Sequence, residues 1–147
     1  MTRVKPIPDG YSAITPYLIV ESAADLLDFL TNAFGAVERM QLEMPGGGIG
    51  HAEVEIDGAV LMLSDAMPPQ FPAGASKLHL YVEDVDGAYA QALSAGATSV
   101  AEPADQFYGD RVARIVDPCG NDWTIASHVE DVDMDEVMRR IAAMEQP

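Results

Sequence analysis

The stretch YLIVESAADLLDFLTNAFGA, from Tyr17 to Ala36, returns about sixty residues later as HLYVEDVDGAYAQALSAGA, from His79 to Ala97, with one residue gapped in the middle. Val20-Glu21 meets Val82-Glu83, and Gly35-Ala36 meets Gly96-Ala97. A repeat of this period means that the chain is assembled from like units, each too small to bury its apolar face alone. The two units must share a core.

Each copy opens as an apolar strand and continues into a capping residue, Ser22 with Asp25 three positions on, or Asp84. A helix follows. Ala23, Leu27, Leu30 and Phe34 recur at helical spacing in the first copy, and Val85, Tyr89, Ala92 and Leu93 in the second. Gly35 and Gly96 are placed to end these helices as left-handed caps. Three strands follow each helix: Val37 to Met44, Ile49 to Ile56 and Ala59 to Ser64, then Thr98 to Glu102, Arg111 to Val116 and Asn121 to Ser127. The spacing therefore predicts an α+β fold in one domain over residues 1–147. Module 1 (about 11–65) and module 2 (about 77–128) are each βαβββ, joined by a Pro- and Gly-rich connector (66–76). Asp133 and Glu136 form a capping box before Met134, Val137, Met138 and Ile141, which predicts an amphipathic C-terminal helix over about 133–145. Its stripe is expected to pack on its own domain or, second, in a dimer.

The Asp57-Gly58 pair predicts a two-residue hairpin turn, which sets Ile56 opposite Ala59, Glu53 opposite Met62 and His51 opposite Ser64. One face then reads Ala52, Val54, Ile56, Ala59, Leu61 and Leu63, a seat for the helix. The other carries His51, Glu53, Glu55, Val60, Met62 and Ser64, the mixed polarity of a hydrated cavity or an open sheet face. In the second copy, DPCG taken as a four-residue loop pairs Arg111 with Ala126, Ala113 with Thr124 and Ile115 with Asp122. That register puts Arg111 on a mixed face with Lys77, His79 and Tyr81.

Eight Lys plus Arg against 24 Asp plus Glu give a formal charge of −16, which repels phosphate backbones and anionic lipid. Nucleic acid and membrane are not expected partners, and cationic ligands are favoured. The start MTRVKPIPDG has no apolar signal core, so a cytoplasmic protein is expected. The lone Cys119 can form neither an internal disulfide nor a cysteine-based zinc site and reads as a bystander. PGGG, Pro45 to Gly48, precedes a strand rather than opening a helix, so it is a turn and not a phosphate loop.

On YLIVESAADLLDFLTNAFGA, IGHAEVEIDGAVLMLSDA, LHLYVEDVDGAYAQALSAGA and DQFYGDRVARIVDPCGNDWTIASH, the chain resembles the vicinal oxygen chelate superfamily of glyoxalases, bleomycin resistance proteins and extradiol dioxygenases. Within it these stretches look most like the phosphonate-operon-associated branch. The resemblance implies a cupped mixed sheet around a small-molecule cavity. It also implies metal-binding His and Glu on the first and last strands of each module. Carried over by position, those sites fall near Thr15, Met62, Lys77 and Thr124, none an ordinary ligand for a divalent ion. The usual metal site is therefore expected to be missing, and with it the usual Lewis-acid chemistry.

The expected function is binding of a small organic molecule in a concave pocket, without an obligatory metal or other cofactor, by a homodimer. Tyr17, His51, Glu53, His79, Tyr81, Tyr108 and Arg111 are the expected ligand residues. Glu53 would attract a cationic group, Arg111 would hold an anionic one, and the tyrosines would supply ring surface. Whether the chain is an enzyme stays open at this point. One alternative is a metal-dependent lyase or dioxygenase using a displaced His51, Glu53, His79 site. Another is a metal-free enzyme with His51 or His79 as general base.

Overall fold

The computed structural model describes residues 3–145. Module 1 runs β1 (Tyr17–Val20), α1 (Ala23–Phe34), β2 (Val37–Glu43), β3 (Ile49–Ile56) and β4 (Ala59–Asp65). Module 2 repeats the order as β5 (Lys77–Tyr81), α2 (Val85–Ser94), β6 (Thr98–Asp105), β7 (Asp110–Val116) and β8 (Asp122–His128), and α3 (Met134–Met144) ends the chain. Each module forms a four-stranded sheet, ordered β1-β4-β3-β2 and β5-β8-β7-β6. In both, the first strand lies parallel to the last, as a strand entering a crossover helix requires. These are the two βαβββ modules expected.

Local chemistry accounts for the helix ends. The Ser22 and Asp84 side chains accept from the N–H groups of Asp25 (3.3 Å) and Gly87 (3.1 Å), and Gly35 stands at φ 68° as the left-handed cap of α1. The second cap differs from expectation. Ala95 closes α2 in a right-handed conformation, and Gly96 takes the positive φ, 113°, one residue later. Asp133 caps α3 through the Glu136 N–H at 2.8 Å, while the Glu136 carboxylate turns to Arg139 and Arg140 instead of closing the box.

The register of module 1 is the expected one, with Ile56 opposite Ala59 and Glu53 opposite Met62. Ala52, Val54, Ile56, Leu61 and Leu63 are buried with Leu26, Phe29 and Leu30 of α1 in a core that also takes in Ala113, Ile115, Trp123 and Ile125 of module 2. The modules meet through their helices. Gln91 of α2 donates to the Asn32 carbonyl of α1 at 2.8 Å, and the Phe34 and Trp123 rings lie 5.0 Å apart.

The register of module 2 corrects the expectation by one residue. Arg111 pairs with Ser127, Ala113 with Ile125 and Ile115 with Trp123. The ladder closes at Asp117 and Asn121, so the loop is Pro118-Cys119-Gly120, three residues rather than four. Buried Asp117 fixes it: the carboxylate accepts from the backbone N–H groups of Cys119 (2.8 Å) and Asn121 (3.0 Å), Asn121 Nδ2 (3.0 Å) and Trp123 Nε1 (2.8 Å). A slip of one residue exchanges the faces of a strand. Arg111 therefore shares the side of Ala113 and Ile115, and β7 presents Asp110, Val112 and Arg114 on the mixed face.

Candidate functional site

The mixed face of module 1 is covered by parts of the chain outside the repeats. The segment before β1 brings Tyr11 over β3, and its hydroxyl donates a hydrogen bond to Glu53 Oε1. The connector folds back along β1: Gly74 N–H donates to the Ile19 carbonyl at 3.1 Å, and Met67 and Phe71 bridge through backbone hydrogen bonds of 2.7 and 2.9 Å. Glu53 is only 5% exposed and Ser64 only 2% as a result. A face expected to be wet is mostly enclosed.

Within it lies a chain of hydrogen bonds. Tyr17 Oη stands 2.9 Å from His51 Nδ1, and His51 Nε2 stands 2.7 Å from Glu53 Oε2. Strand geometry brings the three together, because His51 and Glu53 are two apart on β3 and Tyr17 lies opposite Met62, which lies opposite Glu53. The Tyr11 hydroxyl and, after it, His51 hold the Glu53 carboxyl below the usual carboxylate range, against the burial that pushes it up. The same contact raises the Tyr11 phenol. A buried anion beside one imidazole nitrogen fixes the other toward the tyrosine, an arrangement suited to orienting a proton.

Beside this relay is a cavity of about 370 Å³ lined by Tyr17, Ile19, Ser64, Met67 and Phe71. A second, also of about 370 Å³, is lined by Glu53 together with Pro6, Pro8, Tyr11, Thr15 and Met62. Tyr17, His51 and Glu53, three of the residues named from the sequence, thus lie in one hydrogen-bond chain, with Tyr17 lining the first cavity and Glu53 the second. Ser64 joins them from the mixed face expected from the sequence, while Tyr11, Met67 and Phe71 complete the site from segments that carry no periodic signal. The Pro- and Gly-rich composition of 66–76 signalled a connector and hid its use as a wall.

The other expected residues lie elsewhere. His79 lines a crevice of about 250 Å³ between the modules, with Ile14, Val60, Leu78 and Trp123, and its ring lies 4.9 Å from that of Tyr81, tilted by 54°. Tyr81 donates to Asp110 Oδ2 at 3.4 Å; Asp110 Oδ1 meets His128 Nδ1 at 2.8 Å, and His128 Nε2 meets Asp131 at 2.8 Å. The paired carboxylates, Asp110 first, raise the His128 imidazole above its ordinary value. Burial first, then Asp110 and Tyr81, raises the Tyr108 phenol. Arg111 is on the helix side, held by Asp86 of α2 (2.8 and 2.9 Å) and by Asp105 (3.1 Å), so it is an ion-paired residue and not part of the mixed face. Burial pushes the Cys119 thiol up to about 11, in keeping with an unreactive bystander.

The fold family's metal positions do not fit an ion. Met62 faces Tyr17 and Glu53, and Thr124 faces His79 and Arg114. The displaced alternative does not assemble either: among the described residues no three His, Cys, Asp or Glu side chains come together as a metal-binding group, and His51 and Glu53 lack His79.

Comparison with known proteins agrees with this architecture. The chain is 37% identical over 142 residues to the uncharacterized protein Mb0911c of Mycobacterium bovis, covering 89% of this chain and 93% of that one. The uncharacterized protein Rv0887c of Mycobacterium tuberculosis is also 37% identical, over 89% of this chain and 83% of its own. Among solved structures, TioX from Micromonospora sp. ML1 superposes with a TM-score of 0.69 at 23% identity, over 80% of this chain and 99% of TioX. A glyoxalase/bleomycin resistance protein/dioxygenase from Nocardioides superposes with a TM-score of 0.62 at 22% identity, over 90% of each chain. At such identities these two show the fold alone. Residues 12–125, which hold both modules except the last strand's end, match the family model described as the Glyoxalase/Bleomycin resistance protein/Dioxygenase superfamily. The repeated βαβββ unit, its strand order and this match make the chain a member of the glyoxalase/bleomycin resistance protein/dioxygenase superfamily.

Proposed function

We propose that this protein binds a small, largely apolar organic molecule on the mixed face of module 1, without a metal. The observation that carries the reading is the cavity of about 370 Å³ walled by Ile19, Met67 and Phe71 and floored by Tyr17 and Ser64. Its size and its few polar groups on an apolar lining are those of a small-ligand site. Tyr17 touches the ligand, while His51 and Glu53 act through Tyr17. The net charge of −16 favours neutral or cationic molecules over anions. Within the superfamily we place the chain near the phosphonate-operon-associated branch, in the cytoplasm. We assign it a homodimer, in which His79, Tyr81 and Tyr108 of module 2 and the exposed Met134 and Met138 of α3 offer the surface for a second copy.

The test is thermal unfolding with a panel of neutral, cationic and anionic aromatic compounds. A ligand of the native state at a hundredfold its Kd adds about 2.7 kcal/mol of stability. The expected result is a rise for some neutral or cationic compounds that is lost in Phe71→Ala, which opens the wall at a half-exposed position. No rise with any compound, or a rise that Phe71→Ala leaves intact, overturns the reading.

The Tyr17–His51–Glu53 relay favours a second reading, a metal-free enzyme in which His51 takes a proton through Tyr17. It predicts solvent deuterium exchange into a carbon-bound position of the ligand, abolished in His51→Gln with binding kept. Binding without exchange in the unmodified protein leaves simple sequestration.

A further inference from the structure

The hydrogen-bond chain on β1 and β3 fixes more than the position of Tyr17. Glu53 is buried and accepts from Tyr11 at Oε1, so its Oε2 must accept as well, and His51 Nε2 carries the proton between them. In the neutral imidazole, Nδ1 is then a lone pair. The Tyr17 hydroxyl, 2.9 Å away, must donate to it. A phenol whose one proton is committed has only oxygen lone pairs left for the cavity.

Ser64 is the second polar group of that cavity. It is 2% exposed and lines the cavity beside Tyr17. A hydroxyl at the cavity wall can donate to or accept from a bound molecule. The remaining lining residues, Ile19, Met67 and Phe71, are apolar, and none of the five is a cation.

We infer that the cavity selects apolar molecules bearing a neutral O–H or N–H donor, of which a phenol is the simplest, with Tyr17 as the acceptor and Ser64 as the second partner. A carboxylate ligand would set its own lone pairs against those of Tyr17 and find no cation. A pure hydrocarbon would make no hydrogen bond to either polar group. The inference rests on the binding reading above and adds the chemical class of the ligand to it.

The test compares 2-naphthol, 2-methoxynaphthalene and 2-naphthoate by titration calorimetry at neutral pH with the full chain. The three share one ring system and differ in whether they donate, only accept, or carry charge. The expected result is that 2-naphthol binds about five- to tenfold more tightly than its methyl ether, the span of one ordinary hydrogen bond, and that 2-naphthoate binds weakest. Tyr17→Phe, a change at a 45% exposed residue, should bring 2-naphthol and the ether to within about twofold of each other. Equal binding of 2-naphthol and ether by the unmodified protein, preference for the ether or the carboxylate, or a preference that survives Tyr17→Phe overturns the donor class while leaving the cavity standing. Failure of all three to bind overturns the binding reading and the inference with it.

Discussion

Corresponding positions of the two sheets can be laid side by side from their registers. Tyr17 of β1 lies opposite Met62 of β4, and His79 of β5 lies opposite Thr124 of β8. Met62 faces Glu53 on β3, and Thr124 faces Arg114 on β7. His51 then corresponds to Val112. The backbone repeats closely while the chemistry does not: where module 1 holds a tyrosine, a histidine and a buried glutamate in one chain of hydrogen bonds, module 2 holds a histidine, a valine and an arginine. Covering decides the difference. Glu53 lies beneath Tyr11 and is 5% exposed, so its charge must be met by specific donors, whereas the Arg114 side chain is 42% exposed and has Asp122 at 2.7 Å.

The hairpins that set these registers differ most, and the largest expected effect is there. Asp117→Ala removes a buried acceptor of four hydrogen bonds and strands the Trp123 indole N–H. It should cost about 3 kcal/mol or more in denaturant unfolding. Asp57→Asn, in the two-residue turn of module 1 at φ 46°, should stay within about 0.5 kcal/mol, because asparagine accepts the left-handed conformation. Similar costs for the two would mean that both turns rest on the same kind of anchor.

Smaller effects are expected on the mixed faces. Glu53→Gln weakens charge-assisted bonds to Tyr11 and His51 and should cost about 1–2 kcal/mol, while Arg114→Gln should cost under about 1 kcal/mol. An Arg114 effect as large as that of Glu53 would remove covering as the cause.

The smallest but sharpest distinction is in pH. The Glu53 carboxyl is lowered in the folded protein, so its contribution is present above the ordinary carboxylate range and is lost as pH falls through the lowered value. The His128 imidazole is raised, so its contribution is fully present below the ordinary histidine value of about 6.5 and is lost as pH rises through the raised one. The Tm gap between the unmodified protein and Glu53→Gln should close on acidification. The gap to His128→Asn should close on the alkaline side. Gaps that close in the same direction would contradict one of the two assignments.

The repeat, the strand order of elements and the register of module 1 are legible in the sequence because they follow from local rules: alternation, capping residues and a two-residue turn. Module 2's register is not, since Trp123 Nε1 reaches back to Asp117 and closes a three-residue loop that spacing alone reads as four. The one-residue difference puts Arg111 on the helix side of the sheet, beside Asp86. His51, Glu53 and Ser64 share a mixed face by alternation, so that part of the candidate site is legible, and Tyr17 joins them through the β1–β4 register. Tyr11, Met67 and Phe71 belong to segments without period, and their placement is a tertiary fact.

The connector has a consequence for how such a protein could change over generations. Doubling a βαβββ unit yields two sheets and a shared core, but neither copy contains Met67 or Phe71, which close the cavity and are tied to β1 through Gly74 and Ile19. Part of the wall lies in the connector between the copies. A stretch outside the named helices and strands can therefore reshape the cavity by single substitutions, while the repeated framework stays as it is.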